Sequence, residues 1–380
     1  IDECWEKTGK APVSVRWVDI WKAIEVRSRL VARDFKGGDK DRDDLFAATP
    51  PLESKRLLVS RAATKINGKL KRKLLFIDAK KAHLNPRCEE DVYIELPAEA
   101  EGGPGMCGKL NYWLYGFRPA AQAWENHYAK MFEENGFERG KACAVIFHHK
   151  ERDLALAVHG DDFTFCGGQE DLTWITEQMS SWFEIQVRAT LGREVGDDRH
   201  VVILGRHVRW TEEGIEYEAD PKHRKMNMDH FGFDEDSSHL VYNGEKNWRK
   251  EEAWEEKFLE PEEAAKFRGV AARAHFLSSD CPDLQFPVKQ MSREMAQPMG
   301  GSWKSDGSVG GQRGYVKGEG CIYSELDTDC FTLRAANNGA YSGRLASVVN
   351  IQTNVHGASD RDIMQARARY EHVYECVGNA

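Results

Sequence analysis

Two short apolar runs that flank a pair of adjacent aspartates constrain this chain most. Residues 154–168 read LALAVHGDDFTFCGG, so Asp161 and Asp162 lie between LALAV and FTF. LALAV has no polar residue and FTF has one, and such mainly apolar runs are typical of strands that are buried on both faces. The glycine before the aspartates is common in tight turns. The segment therefore predicts a hairpin inside a covered sheet, with two carboxylates at its tip.

A third aspartate lies at the end of another apolar run. Residues 73–80 read KLLFIDAK, which predicts a strand that ends near Asp78. If the two strands are neighbours in one sheet, Asp78 and Asp161 meet. Crowded carboxylates repel one another unless a cation lies between them, and hard oxygen ligands suit Mg²⁺. The pattern predicts a site for two Mg²⁺ ions, with Mn²⁺ as an alternative, of the kind that performs in-line phosphoryl transfer.

The simpler interpretation of the aspartate pair is structural. Gly-Asp is common turn chemistry, so Asp161 and Asp162 can be ordinary residues of a hairpin turn. The apolar runs on both sides favour the functional interpretation, because a turn between half-buried strands would normally be flanked by alternating polar positions.

Charge is distributed unevenly along the chain. The formal net charge is −9 at pH 7, which alone argues against a nucleic-acid-binding protein. Residues 1–75, however, hold 18 Lys and Arg against 11 Asp and Glu. Local charge rather than the total sets the local potential, so this basic part is able to face phosphates.

The rest of the chain is organised as alternating strands and helices. Strands are expected at 91–96 and in a hairpin over 200–219, and helices at 119–137 and 169–185. Residues 234–263 are strongly acidic, 261–298 look helical, and 299–320 are rich in glycine. No stretch approaches the roughly 20 apolar residues that span a bilayer, so no membrane association is expected. The nine cysteines form no CxxC pair, which argues against a zinc or redox site.

Five blocks of the sequence occur in the order and spacing of one known family. They are RSRLVARDF (27–35), LLFIDAKKAHLN (74–85), DVYIELP (91–97), KLNYWLYGFRPAAQAW (109–124) and AVHGDDFTFCG (157–167). With these blocks the chain resembles the reverse transcriptase of copia-type retrotransposons. A further block over 266–298 is similar to the helical segment that follows the polymerase core in such Pol polyproteins, of which this chain is expected to be a fragment.

The resemblance implies an α+β fold, the right-hand polymerase, whose antiparallel palm sheet carries the acidic site. The expected regions are a fingers-like basic region at 1–75, the palm at 76–185, a thumb-like region at 186–233, an acidic linker and helical connection segment at 234–298, and a glycine-rich linker and unassigned tail at 299–380.

The resemblance also implies roles for the acidic residues. Asp78 resembles the first metal-binding aspartate of the family, which bridges both Mg²⁺ ions. Asp161 resembles the second, and Asp162 lies beside it as a third carboxylate of lesser importance. The backbone carbonyl of Ala79 is an additional expected ligand. One metal would activate the primer 3′-hydroxyl, and the other would hold the triphosphate of the incoming nucleotide.

Basic residues of the first block resemble a triphosphate clamp. Arg27, Arg29 and Arg33 would bind phosphate oxygens through their forked guanidinium groups, although they can also be solvated strand residues. His83 occupies the position of an aromatic residue that usually packs under the deoxyribose. Because an imidazole is smaller and polar, we expect weaker rejection of ribonucleotides.

The match departs from the family at two places. The turn usually reads Tyr-Val-Asp-Asp, but His159 and Gly160 stand before the aspartates here, so the residues beneath the primer end differ. Arg118 and a proline replace the usual Lys-Gln pair near the incoming nucleotide, and Gln122 lies close by. Gly-Asp-Asp also occurs in viral RNA-dependent RNA polymerases, yet the surrounding blocks favour the retroelement class.

The resulting hypothesis is an RNA-directed DNA polymerase. It would use deoxynucleotides and an RNA or DNA template annealed to a primer. The expected location is the cytoplasm, either free or within virus-like particles, or the nucleus. The alternative is a decayed or repurposed element product that binds nucleic acid without polymerising. A ribonuclease H activity is not expected, because the acidic residues of the tail follow no recognisable order.

Overall fold

The computed structural model describes part of the chain, and two compact units divide that part. The described residues are 1–22, 25–35, 45, 47–66, 69–100, 102–212, 214–233, 257–281, 284–303, 321–323 and 335–336. The first unit contains Ile1–Leu58 and Lys73–Ala189, and the second contains Val59–Arg72 and the described residues from Thr190 onward. Most of the expected acidic linker and of the expected tail lies outside the described residues.

Helices and strands alternate along the described residues. The helices are α1 (Asp2–Thr8), α2 (Leu52–Ala63), α3 (Ala120–Glu134), α4 (Gln169–Trp182), α5 (Pro221–Phe231), α6 (Pro261–Ser278) and α7 (Gln285–Ser292), with a short 3₁₀ helix at Ala82–Leu84. The strands are β1 (Val15–Lys22), β2 (Glu25–Ala32), β3 (Lys65–Ile66), β4 (Lys69–Leu70), β5 (Lys73–Ala79), β6 (Tyr93–Ile94), β7 (Gly108–Lys109), β8 (Glu138–Arg139), β9 (Ile146–His149), β10 (Leu154–His159), β11 (Asp162–Gly167), β12 (Ile185–Leu191), β13 (His200–Ile203), β14 (Arg206–Trp210), β15 (Ile215–Ala219), β16 (Cys321–Tyr323) and β17 (Ala335–Ala336).

A six-stranded sheet forms the centre of the first unit. Its strand order is β12-β5-β11-β10-β9-β8, and the pairs from β5 to β8 are antiparallel. Every residue of β11 and all but the last residue of β10 are buried, as the apolar runs predicted. Helices α3 and α4 contribute Phe132 and Ile175 to a core that also holds Leu75 of β5 and Phe165 of β11. The two helices therefore cover one face of this sheet.

A two-stranded hairpin, β1 and β2, packs against the loop before α3. The backbone N–H of Ala32 donates to the carbonyl of Tyr115 at 2.8 Å. Gly116, with φ of 91°, lies so close to this hairpin that a Cβ atom would meet the Ala32 oxygen at 2.2 Å. Only glycine satisfies both the positive φ and the close backbone approach at this position.

A second antiparallel sheet lies in the second unit, in the order β13-β14-β15-β16-β17. Buried and partly exposed residues alternate along β14 and β15, which is the pattern of a sheet covered on one face. Helices α5, α6 and α7 share a core that includes Phe267, Leu284 and Met291. Arg206 of β14 forms a buried ion pair with Asp280 at 3.0 Å.

The structure confirms the hairpins over 154–168 and 200–219 and the helix after Pro119, and it shortens three other elements. The strand expected at 91–96 has only two residues, Tyr93 and Ile94. Helix α4 ends at Trp182 because Phe183 is extended, with φ of −137° and ψ of 155°. The helical segment expected at 261–298 consists of two helices, α6 and α7. Among the described residues, no helix has the length and apolar character to cross a membrane.

Candidate active site

The ends of β5 and β11 place two aspartates opposite each other. Asp162 is the register partner of Asp78 in this antiparallel pair. Partners in a register point to the same face of a sheet, with Cβ atoms about 4.5–5.5 Å apart. Ile77 and Ala79 belong to the core under α3 and α4, so Asp78 and Asp162 lie on the opposite face. The sequence analysis expected adjacent strands to bring Asp78 and Asp161 together. Strands β5 and β11 are neighbours, but the register partner of Asp78 is Asp162 and not Asp161.

The turn between β10 and β11 is fixed through its backbone. His159 pairs with Asp162, so the loop consists of Gly160, with φ of 65°, and Asp161. The buried Trp124 of α3 donates its indole N–H to the Gly160 carbonyl at 2.9 Å. The backbone N–H of Ala79 donates to the Asp161 carbonyl at 2.9 Å. The residue Asp161 is exposed at the tip, while its backbone is held in place from two sides.

An arginine that the sequence analysis did not identify joins the two aspartates. Arg188 of β12 donates from Nη2 to Oδ1 of Asp78, and the same nitrogen lies 3.4 Å from Oδ1 of Asp162. Strand β12 is the neighbour of β5 and the edge strand of the sheet, which explains why residue 188 reaches residue 78. The surrounding EIQVRATL carries no local signal for this contact, because only the long-range strand pairing creates it.

Burial changes the pKa of one carboxylate of this cluster. The side chain of Asp162 is 12% exposed and that of Asp78 is 18% exposed. Burial raises the pKa of Asp162; Arg188 acts against this shift, and the Asp161 charge adds to it. Oδ1 of Asp162 accepts no hydrogen bond from the described residues, since the Arg188 contact is an ion pair without hydrogen-bond geometry. Asp162 is therefore a desolvated carboxylate with unused acceptor capacity.

An arginine, a tyrosine and a histidine contact one another near the carboxylates. The rings of His83 and Tyr115 have centroids 4.8 Å apart, and the guanidinium of Arg29 lies 5.5 Å from the Tyr115 ring centroid. Burial lowers the pKa of His83, which the Asp161 charge opposes and Arg29 reinforces. Burial raises the pKa of Tyr115, which is also influenced by Arg29, Asp161 and Arg27. Tyr115 was not identified from the sequence, although it lies in the block that contains Arg118.

Other predicted residues occupy more varied positions. Arg27 and Arg29 are two residues apart on β2, so both point to one face of the hairpin, and both are exposed. Arg33 follows the end of β2 and is also exposed. Burial lowers the pKa of His159, with Lys55 adding to the shift and Asp161 opposing it.

Arg118 and Gln122 have local partners. The Arg118 backbone N–H donates to Asp34 Oδ2 at 3.1 Å, and its Nε lies 3.5 Å from the same oxygen. Gln122 donates to Asn126 at 3.1 Å, one turn further along α3. Neither Asp34 nor Asn126 belongs to the aspartate cluster.

The aspartate cluster provides the type of oxygen ligand that divalent cations prefer. Within the described residues, no three His, Cys, Asp or Glu side chains are arranged to hold a metal ion. Asp78 and Asp162 nevertheless provide hard oxygen donors on one face, one of which accepts no hydrogen bond from the described residues. A positive group, the guanidinium of Arg188, already lies between them. The cluster is thus built to bind positive charge.

Comparison with known proteins identifies the family of this chain. Residues 6–204 match the family described as Reverse transcriptase (RNA-dependent DNA polymerase). The chain is 26% identical over 176 residues to the Retrovirus-related Pol polyprotein from transposon TNT 1-94 of Nicotiana tabacum, a match that covers 43% of this chain and 13% of that polyprotein. This chain thus spans only a small part of the length of that relative.

A solved structure of telomerase from Candida albicans, in complex with a fragment of telomeric RNA, is similar at 8% identity. The similarity covers 80% of this chain and 62% of that chain, with a TM-score of 0.30, which is too low to support a statement about fold or function. The family match is stronger evidence, because it spans more than half of the chain and includes all three aspartates. The chain belongs to the reverse transcriptase (RNA-dependent DNA polymerase) family, in agreement with its resemblance to the copia-type retrotransposons.

Proposed function

We propose that this chain is an RNA-directed DNA polymerase that transfers a nucleotide from a deoxynucleoside triphosphate to a primer 3′-hydroxyl. The template would be RNA or DNA annealed to that primer. The observation that carries the proposal is the register pairing of Asp78 with Asp162 beside a fixed turn that presents Asp161. These are the carboxylates that the family resemblance assigns to the metal site.

The residues that would hold two Mg²⁺ ions, or Mn²⁺, are Asp78, Asp161 and Asp162, with the carbonyl of Ala79 as a further ligand. When bound, the ions supply activation of the primer hydroxyl and stabilisation of charge on the phosphates. The protein contributes a rigid placement of these oxygens, because strand pairing and the bonds at Gly160 and Asp161 fix the backbone.

The basic and aromatic residues near the aspartates are proposed to contact the nucleotide. Arg27, Arg29 and Arg33 would bind the triphosphate, in line with their exposed positions on or next to one strand. The His83 and Tyr115 rings would lie under the sugar, since the charge of Asp161 acts on both. Arg118 and Gln122 would contribute from the loop and the first turn of α3.

The right-hand arrangement remains part of the proposal. We assign the fingers to 1–75, the palm to 76–185 and a thumb to 186–233. The connection segment at 234–298 is supported by the helices α6 and α7.

Primer extension tests the proposed function. The intact chain and Asp161→Asn are compared on RNA and DNA templates with deoxynucleotides and Mg²⁺. We expect Asp161→Asn to lower the extension rate by more than about 100-fold, because a carboxylate ligand of the metal ions is lost. The matched control is Asp171→Asn. Asp171 lies on α4, and its carboxylate pairs with Arg152 at 3.0 Å. This variant should extend the primer at the rate of the intact chain.

A non-polymerising nucleic-acid-binding protein is the second candidate function. The observation that favours it is Arg188, which occupies the space between Asp78 and Asp162 with a permanent charge. This candidate would be supported if neither the intact chain nor Asp161→Asn extended the primer and the intact chain bound a primer-template duplex in a salt-sensitive way.

The sugar selectivity expected for His83 is tested separately. His83→Phe should increase the preference for deoxynucleotides over ribonucleotides, because a larger apolar ring packs more closely under the sugar. Single-nucleotide incorporation with each substrate measures the ratio. Equal ratios for the variant and the intact chain would remove this role for His83.

A further inference from the structure

Arg188 lies where two carboxylates of the proposed metal site converge. We propose that Arg188 is an internal competitor for the metal: its guanidinium holds Asp78 and Asp162 when no metal is bound, and it must leave for metal to bind. Arg188 would thereby set the metal affinity of the site. This inference rests on the proposed function, since it concerns the same carboxylates.

The contact atoms support competition. Arg188 uses Oδ1 of Asp78 and approaches Oδ1 of Asp162 with one nitrogen, Nη2. A Mg²⁺ ion binds its oxygen ligands at about 2.0–2.1 Å. An ion bound to either of these oxygens would lie next to the guanidinium, and two positive charges at that distance repel each other in a site shielded from water. The guanidinium and the metal therefore compete for the same oxygens.

The charge balance explains why a resident cation is useful. Register partners that both carry a negative charge destabilise a sheet, and here the charges are also largely buried. One arginine that spans both carboxylates offsets this repulsion and keeps them converged. The site is then already organised before a metal arrives.

The position of Arg188 allows it to leave without unfolding. Strand β12 is at the edge of the sheet, and the Arg188 side chain is 38% exposed. An arginine side chain has several rotatable bonds, so rotation alone can move the guanidinium into solvent. Neither β5 nor β11 has to move in this exchange.

Metal binding by the unliganded protein tests the inference. Mn²⁺ is titrated into the intact chain, Arg188→Gln and Arg188→Lys, and the free ion is measured by electron paramagnetic resonance. We expect Arg188→Gln to bind Mn²⁺ about 10- to 100-fold more tightly, the range typical of residues that act on metal ligands. Arg188→Lys keeps the positive charge and should stay close to the intact chain.

Arg209→Gln is the matched control. Arg209 also bridges two carboxylates, at 3.4 Å from Glu216 and 2.6 Å from Glu218, and its side chain is 34% exposed, but it lies in the other unit. We expect no change in Mn²⁺ affinity for this variant. An equal gain in Arg209→Gln would show that removal of any surface arginine raises affinity, and it would overturn the inference.

A second readout separates competition from a purely structural role. In metal-free buffer, Arg188→Gln should unfold at a lower temperature than the intact chain, and Mn²⁺ should restore the loss. A loss that Mn²⁺ does not restore would contradict the inference, because it would mean that Arg188 only supports the fold.

Asp78→Asn distinguishes failure of the inference from failure of the proposed function. If the intact chain and Arg188→Gln bind Mn²⁺ equally and Asp78→Asn abolishes binding, Arg188 is no competitor although the metal site exists. If none of the proteins binds Mn²⁺, the proposed metal site is wrong and the inference is wrong with it. Binding by Arg188→Gln alone would support the competitor role most strongly.

Discussion

The two sheets of this chain bury their residues differently. All the residues of β11 and nearly all of β10 are buried, whereas β14 and β15 alternate between buried and partly exposed positions. Each sheet carries an arginine that bridges two carboxylates, Arg188 in the first and Arg209 in the second. At the end of the covered sheet, burial raises the pKa of one of these carboxylates, Asp162. Burial on both faces thus leaves one carboxylate of the first cluster poorly solvated, whereas the second cluster lies on a sheet covered on one face.

The largest expected difference between the two sheets is in the free energy of unfolding lost when each of two successive residues of one strand is replaced by alanine. Leu74→Ala and Leu75→Ala on β5 should each cost about 2–5 kcal/mol, because both side chains are buried. On β15, Ile215→Ala should cost a similar amount, but Glu216→Ala should cost less than about 1 kcal/mol. Denaturant unfolding measures all four. A cost near zero for either leucine would mean that β5 is covered on one face only.

Replacing one glycine in each unit compares how well the backbone of the two units tolerates a Cβ atom. Gly116→Ala should destabilise the first unit by about 3 kcal/mol, because its Cβ would meet a backbone oxygen at 2.2 Å in addition to a positive φ. Gly205→Ala should cost about 1–2 kcal/mol, since its φ is 70° but its Cβ would meet only the Phe276 ring at 3.3 Å. Thermal unfolding of both variants checks the order. Equal costs would show that the β1–β2 hairpin moves away freely.

A pair of buried tryptophans tests the fixed turn. Trp124→Phe removes the hydrogen bond to Gly160, whereas Trp210→Phe removes an indole N–H that has no partner among the described residues. We expect Trp124→Phe to cost about 1 kcal/mol more than Trp210→Phe and to slow primer extension more. Unfolding and extension assays on both proteins provide the comparison. Equal losses of stability and rate would count against a role for the indole in holding the turn.

The smallest expected effect is a pH dependence in the second unit. Burial lowers the pKa of His223 from 6.5, and Lys222 reinforces this shift while Asp220 opposes it, so the folded state binds this proton less readily. Because the unfolded chain binds the proton more readily, stability should fall as the pH drops below 6.5 towards the folded pKa. His223→Gln should flatten that slope in thermal unfolding between pH 5 and 8. An unchanged slope would assign the pH dependence to other groups.

Much of the fold could be predicted because its signals are local. The apolar runs around Asp161 and the run that ends at Asp78 each specify a strand, and strand ends are where the carboxylates meet. Which aspartate faces Asp78 was harder to predict, since a register shift of one residue exchanges Asp161 for Asp162. Arg188 and Tyr115 were not identified, because their contacts depend on strand order and loop packing that no sequence window contains.

The fixed turn has a consequence for how such elements decay. The bonds that hold Gly160 and Asp161 come from the Trp124 indole and the Ala79 amide, and both end on backbone carbonyls. None of them uses the Asp161 carboxylate. A copy of this gene that loses the carboxylate by mutation would therefore still fold, and selection against misfolding would not remove it. Under the proposed function, such copies would keep the fold and lack polymerase activity.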